Sequence, residues 1–226
     1  MIIIIFYATF VPAVVLNGDI IASRAYGADK AARTLAAVVA EVNASFNKEL
    51  LVPFDVIQGD AFQGVAGNCQ TATSVVFSLQ GGLISRSNGR LKTRFGLGLG
   101  AIDQKLNDVH DPSLLTGPAF VAAAAALERA RRDKRQVILN SERAGLNMGA
   151  NGTFGLVEHI WNRWSTEVWR RALRFEKLKD FGKLAQELGL SYQAVHKQLH
   201  ARGVLVVLEA LKGIGAAIEE VADDCP

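Results

Sequence analysis

Two aspartates interrupt stretches that otherwise read as buried. In AVVLNGDIIASR, residues 13–24, Asp19 follows Gly18 inside a strand-like apolar run, and in FDVIQGDAFQG, residues 54–64, Asp60 follows Gly59 in the same way. A carboxylate beside a glycine at a strand end either shapes a turn or presents oxygens to a hard cation. A single example is ordinarily a turn former, but two in matching contexts ask for a common explanation. A second group of chemistry-bearing residues lies far along the chain, in DFGKLAQELGLSYQAVHKQLHARG (180–203). There Ser191, Tyr192, Gln193, His196, Lys197, His200 and Arg202 are hydrogen-bonding or basic types gathered on one short helical segment.

The elements that must position the aspartates can be read from periodicity. Val11 to Ile21 is rich in β-branched residues and predicts a strand buried on both faces. Ala28 to Phe46 predicts a helix, with Leu35, Val38, Val39 and Val42 on one side. Leu50 to Ile57 predicts a strand, and QGDAFQG a tight turn with Asp60 at a hairpin tip. Cys69 to Ser87 predicts a helix ended by Gly89. In RLKTRFGLGLGAID (90–103), Leu91, Phe95, Leu97 and Leu99 alternate with Lys92, Arg94 and the glycines. That predicts a strand whose glycine side is approached closely by another element. Gly117-Pro118 opens an alanine-rich helix with basic residues at its end, and QVILN (136–140) is a last short strand. The order suits an α/β (α+β) sandwich with helices on one face of a mixed sheet.

The Gly/Asn-rich stretch 147–153 predicts a boundary between a domain of residues 1–146 and a helical domain of residues 154–226. In the second, residues 181–188, a Gly189-Leu190 turn and a helix capped by Ser191 form a helix-turn-helix pattern. Ala185 suits the crossing, Leu190, Val195 and Leu199 supply an inward face, and the polar residues named above point outward toward DNA bases or phosphates. Lys183, Arg170, Arg171, Arg174, Lys177 and Lys179 are placed to add phosphate contacts. Trp161, Trp164 and Trp169 predict a packing face, and the apolar helix from Leu205 to Ile218 suggests a homodimer.

Bulk properties set outer limits. Half the residues are hydrophobic, and the formal charge of +3 is too small to announce a nucleic-acid or membrane partner unaided. Cys69 and Cys225 lack metal spacing and do not form a disulfide framework, so a cytoplasmic protein is expected. The apolar start has no basic leader and falls short of a bilayer span, so no membrane association is expected, and residues 1–10 read as an extension of the first strand.

GDIIASR, QGDAFQG, RFGLGLGAI and GPAFVAAAAALERA, in that order, resemble the SatD family over nearly the whole chain. A remoter resemblance is to class III nucleotide cyclases and the palm-like fold, in which an Asp-Ile ends the first strand, a Gly-Asp hairpin follows, and an Arg-x-Gly strand comes next. The resemblance implies a palm or ferredoxin-like domain followed by a small all-α helix-turn-helix domain. It implies that Asp19 and Asp60, with the carbonyl of Ile20, hold Mg²⁺ or Mn²⁺ against a nucleotide's phosphates. Gly18, Gly59, Arg24, Lys92 and Arg94 would surround that nucleotide. The cyclase positions for a base-selecting lysine and for an Asn-x-x-x-Arg pair read Val56, Val121 and Ala125 here, none of which can neutralise a triphosphate. The expectation is therefore a nucleotide-binding regulator coupled to DNA, with a metal-dependent nucleotidyl transferase or cyclase as the alternative.

Overall fold

The computed structural model describes residues 13–102 and 116–223. The expected extension at residues 1–10 lies outside the described residues. The elements are β1 (Ala13–Ile21), α1 (Ser23–Tyr26), α2 (Ala28–Ser45), β2 (Leu50–Gln58), β3 (Ala61–Ala66), α3 (Cys69–Ser87), β4 (Lys92–Gly100), α4 (Pro118–Arg132) and β5 (Val137–Asn140). They are followed by α5 (Ala144–Trp161), α6 (Thr166–Leu178), α7 (Phe181–Leu188), α8 (Tyr192–Ala201) and α9 (Val204–Asp223). The five strands form one mixed sheet in the order β2-β3-β1-β4-β5, antiparallel except where β5 runs parallel to β4.

β1 is the central strand, and its side chains divide between two cores. Val14 and Leu16 belong to the larger core with residues of α2, α3 and the later helices, whereas Ala13 and Val15 pack with Ala119, Phe120 and Ala123 of α4. The sheet is thus covered on both faces, and the expectation of helices on one face alone is corrected. The reason lies in β4. A Cβ on Gly96 would stand 2.2 Å from the carbonyl oxygen of Ala123, and one on Gly98 would stand 2.0 Å from that of Ala119. The glycine side is the groove in which the alanine face of α4 lies, backbone nearly on backbone.

Both edges of the sheet are closed by asparagine side chains from helices. Asn43 of α2 donates to the carbonyl of Phe54 and accepts its N–H, each at 2.8 Å, on β2. Asn151 of α5 does the same for Leu139 on β5, at 2.9 and 2.7 Å. Glu158, about two turns further along α5, accepts the N–H groups of Gln136 and Val137 and pairs with Arg135. These contacts satisfy backbone groups that would otherwise offer an edge to another chain.

They also correct the reading of residues 147–153. That stretch is the interior of α5, and its Asn151 is buried at the sheet edge. The glycines do not break the helix because the buried residues Ala150, Phe154, Val157 and Trp161 anchor it. Trp161 and Trp169 are fully buried, and Trp169 packs against Phe77 of α3 with the rings tilted by 39°. Val204, Val207, Leu211, Ile214 and Ile218 of α9 are buried within the chain as well. Much of the apolar side of α9 is therefore used internally, while Val206 is 59% exposed. Among the described residues, no helix is long and apolar enough to cross a membrane.

Gly98→Ala should cost roughly 2–3 kcal/mol in urea unfolding, because its methyl meets backbone that cannot yield. Gly152→Ala, with open space around the new Cβ, should instead stabilise by about 0.5–1 kcal/mol. Equal effects at the two sites would contradict the packing described.

Candidate functional site

Asp19 sits near the end of β1, paired across the sheet with Ala61 of β3 and Arg94 of β4. Alternation puts it on the α4 face with Ala13, Val15 and Asn17. It is 8% exposed, and a carboxylate at that depth needs partners. Two are present. Arg131, in the last turn of α4, donates from Nε to Oδ2 at 2.7 Å, and Arg94 approaches Oδ1 and Oδ2 from Nη1 at 3.3 and 3.5 Å. Arg131 also contacts Glu128 one turn back. Burial alone would lower the Arg131 pKa, but the hydrogen bond and charge of Asp19, with Glu128, raise it, so the guanidinium stays charged. Two polar atoms on this face are buried without a partner, Asn17 Oδ1 and Arg94 Nε.

Asp60 occupies the β2–β3 turn, beside Gly59 at φ 55°. Its carbonyl accepts the N–H of Ile20 at 3.1 Å, and its carboxylate accepts the hydroxyl of Ser23 at 2.5 Å. Ser23 opens α1 after Ala22, which has φ 65°. The hairpin tip is thus stitched to the end of β1, and the two aspartates flank Ile20. Ser23 thus engages Oδ2 of the Asp60 carboxylate while the Asp60 carbonyl shapes the turn.

The donor set suits a hard divalent cation. Asp19, Asp60 and the unpartnered Asn17 Oδ1 are all oxygen donors, and Mg²⁺ takes few protein ligands, completing its shell with phosphate and water. Among the described residues, no cluster of three or more His, Cys, Asp or Glu side chains gathers anywhere. Both oxygens of Asp19 face guanidinium groups, so a cation there requires Arg131 to move.

Of the other residues expected at the site, Arg94 joins it directly. Gly18 faces the opposite side, where a Cβ would fall 2.2 Å from the Phe62 ring, so its smallness serves packing. Ile20 is buried in the larger core. Arg24 is exposed on α1, and Lys92 donates to Asn162 Oδ1 at 2.8 Å beyond α5. Sequence reasoning missed Arg131 and Ser23. The signal for Arg131 was the glycine side of β4, which runs into Arg94 and demanded a helix close enough to deliver its basic end.

In the C-terminal part, Asp180 and Ser191 cap α7 and α8, and Gly189 between them has φ 64°. Ala185, Val195 and Leu199 are buried as expected, but Leu190 is 42% exposed and does not supply the inward face. Ser191, Tyr192, Gln193, His196, Lys197, His200 and Arg202 are all exposed. The rings of Tyr192, His196 and His200 stack in series, with centroids 6.0 Å apart at each step. Four of the expected phosphate contacts are engaged within the chain: Arg170 with Glu167 and the Ser85 carbonyl, Arg171 with Glu167 and Gln198, Arg174 with Glu187, and Lys179 with Glu176. Lys177, Lys183, Lys197 and Arg202 remain as exposed basic residues of this part of the chain. A cavity of about 460 Å³ between α3, α6 and α9 shares no residue with the Asp19 edge or with α8.

The model of the SatD family matches residues 13–215, and the chain belongs to that family. No curated protein matches it. Among solved structures, it is similar to a bacterial light-regulated adenylyl cyclase, at 14% identity and a TM-score of 0.44, over 57% of this chain and 43% of that one. It is also similar to a Csm1–Csm4 cassette in complex with cA3, at 14% identity and a TM-score of 0.40, over 89% of this chain and 36% of that one. Csm1 of T. onnurineus follows at 13% identity and a TM-score of 0.37, over 91% and 39%. The chain spans less than half the length of each of these structures.

The Asp180 cap carries a pH signature. Its hydrogen bond from the Lys183 N–H holds the carboxyl below the usual carboxylate range. A depressed folded-state pKa contributes stability above the unfolded value, near 3.8, that is lost as pH falls through the folded value. Asp180→Asn keeps a capping oxygen that does not titrate, so its melting temperature should fall less than that of the parent chain between pH 5 and pH 2.5. Parallel falls would show that the cap contributes nothing through its charge.

Proposed function

We propose that this SatD-family protein is a regulator in which a cation-dependent nucleotide site at Asp19 and Asp60 is coupled to DNA binding by a helix-turn-helix formed from α7 and α8. The observation that carries the first half is that Asp19, with Arg94 and Arg131 on its carboxylate, and the Asp60 turn, hydrogen-bonded to Ile20, stand at one end of the central strand. Asp19 and Asp60 would hold Mg²⁺ or Mn²⁺, which would supply positive charge against a nucleotide's phosphates. Arg94 and Arg131 lie on the same edge and supply positive charge for the remaining phosphate oxygens. Ser23 fixes Asp60 by its hydroxyl.

For the second half, α8 offers hydrogen-bonding side chains on its exposed side and keeps only Val195 and Leu199 inward. Such a helix matches the requirements of a major-groove reader, with Lys183, Lys197 and Arg202 for phosphates. The sheet and the C-terminal helices share one continuous core through Trp161, Trp169 and Phe77, which gives ligand binding a packed route to α8.

Turnover as a nucleotidyl transferase or cyclase is the second reading, and Arg131 favours it by bringing a cation to the metal edge from the helix whose Val121 and Ala125 are apolar. New nucleotide products after incubation with ATP or GTP would decide for it.

In equilibrium dialysis with Mg²⁺ and ATP or GTP, Asp60→Asn should reduce nucleotide retention about tenfold or more, given the loss of one charged ligand. Retention unchanged by Asp60→Asn would remove the metal from the account. Lys197→Ala with Arg202→Ala should weaken DNA binding at every sequence and lower the salt slope by about 2. An unaltered slope would exclude α8 as the DNA contact.

A further inference from the structure

We infer that Arg131 is an exchangeable counter-ion: it holds Asp19 in the cation-free protein and moves to the ligand's phosphates when Asp19 is taken up by the cation, so that cation and polyphosphate bind cooperatively. The inference rests on the nucleotide reading above and deepens it by naming the residue that couples the two ligands.

The two arginines on Asp19 are not equivalent. Arg94 rises from β4 beside Asp19, its side chain is 19% exposed, and its contacts at 3.3 and 3.5 Å are long for a charge-assisted pair. Arg131 is the closer partner at 2.7 Å, yet its side chain is 42% exposed and belongs to the last turn of α4. It is therefore the strong contact that can leave without disturbing the core. Its second partner, Glu128, is exposed on the same helix and keeps the departing guanidinium at the site's rim. Asp133, the next acidic residue on this segment, is engaged by Arg129 and Arg132 and does not compete for it.

Charge balance gives the exchange its direction. With Arg131 on Asp19, the buried carboxylate is neutralised and its desolvation offset. A cation arriving alone must displace that guanidinium against like-charge repulsion, whereas a cation arriving with phosphates brings the anionic oxygens to which Arg131 transfers. Nε of Arg94 and Oδ1 of Asn17, buried on this same face, have no hydrogen-bond partner within the protein and are polar groups a ligand could engage. Arg131 thus acts as a positioning and coupling residue and disfavours occupancy by free metal.

The test is Mn²⁺ binding followed by electron paramagnetic resonance, with and without a non-hydrolysable ATP analogue, in the full chain and in Arg131→Gln and Arg131→Lys. Thermal melts check that each variant is folded, which the exposure of Arg131 leads one to expect. Arg131→Gln should bind Mn²⁺ alone about fivefold or more tightly, because the competing charge is gone, and should lose most of the gain in Mn²⁺ affinity that the analogue gives the parent chain. Arg131→Lys, which retains the charge, should restore part of that gain. Unchanged Mn²⁺ affinity in Arg131→Gln, with the parent chain binding both ligands, would overturn the inference and leave the nucleotide reading standing. If neither the parent chain nor Arg131→Gln binds Mn²⁺ with or without the analogue, the nucleotide reading itself fails and the inference with it.

Discussion

A carboxylate buried on the central strand of a sheet has to be neutralised, and Asp19 sets that constraint on everything around it. Water cannot do the work at 8% exposure, so cationic side chains must be brought in from neighbouring elements. Arg94 comes from the adjacent strand by register, since Asp19 and Arg94 are paired across β1 and β4. Arg131 comes from a helix 112 residues away in sequence, and this contact requires α4 to lie almost against the sheet. The glycines at 96 and 98 exist for that approach, as a Cβ on them would stand 2.2 and 2.0 Å from carbonyl oxygens of α4. Packing and site chemistry are in this respect the same requirement.

The rest of the molecule stabilises that arrangement by fixing the sheet. Asparagines from α2 and α5 terminate its two edges with paired hydrogen bonds, and Glu158 secures the start of β5. Each buried amide or carboxylate here has a specified backbone partner, so its net contribution is on the order of 1 kcal/mol per bond while its loss would strand a buried group. The tryptophans then join α5 and α6 to Phe77 of α3. A perturbation at the end of β1 meets a continuous packed body before it reaches α7 and α8.

Much of this was legible in the residues. β1, α2, β2, α3, β4 and α4 follow from alternation and helical spacing, whereas α1 and β3 did not stand out, and the glycine side of β4 pointed to a close neighbour. Asp19 and Asp60 stood out because a charge after a glycine is anomalous in an apolar run. What could not be read was long-range: that α4 takes the second face of the sheet, that Arg131 reaches Asp19, and that Ser23 meets Asp60. Residues 147–153 misled for a different reason. Gly149, Gly152 and their asparagines have loop-like local preferences, but Asn151 and Ala150 are buried against the sheet, and tertiary packing overrides propensity there. The basic residues of α6 misled similarly, because their acidic partners on the same or the following helix were not visible as partners from composition alone.

The central claim is that Asp19 exchanges a guanidinium for a metal when a nucleotide binds. A crystal structure of the full chain grown with Mn²⁺ and a non-hydrolysable ATP analogue tests it most directly, through the anomalous signal of manganese. The account predicts a manganese peak within ligand distance of Asp19 and Asp60, with Arg131 turned from Asp19 to phosphate oxygen. A bound analogue with Arg131 still on Asp19 and no manganese beside either aspartate would contradict it.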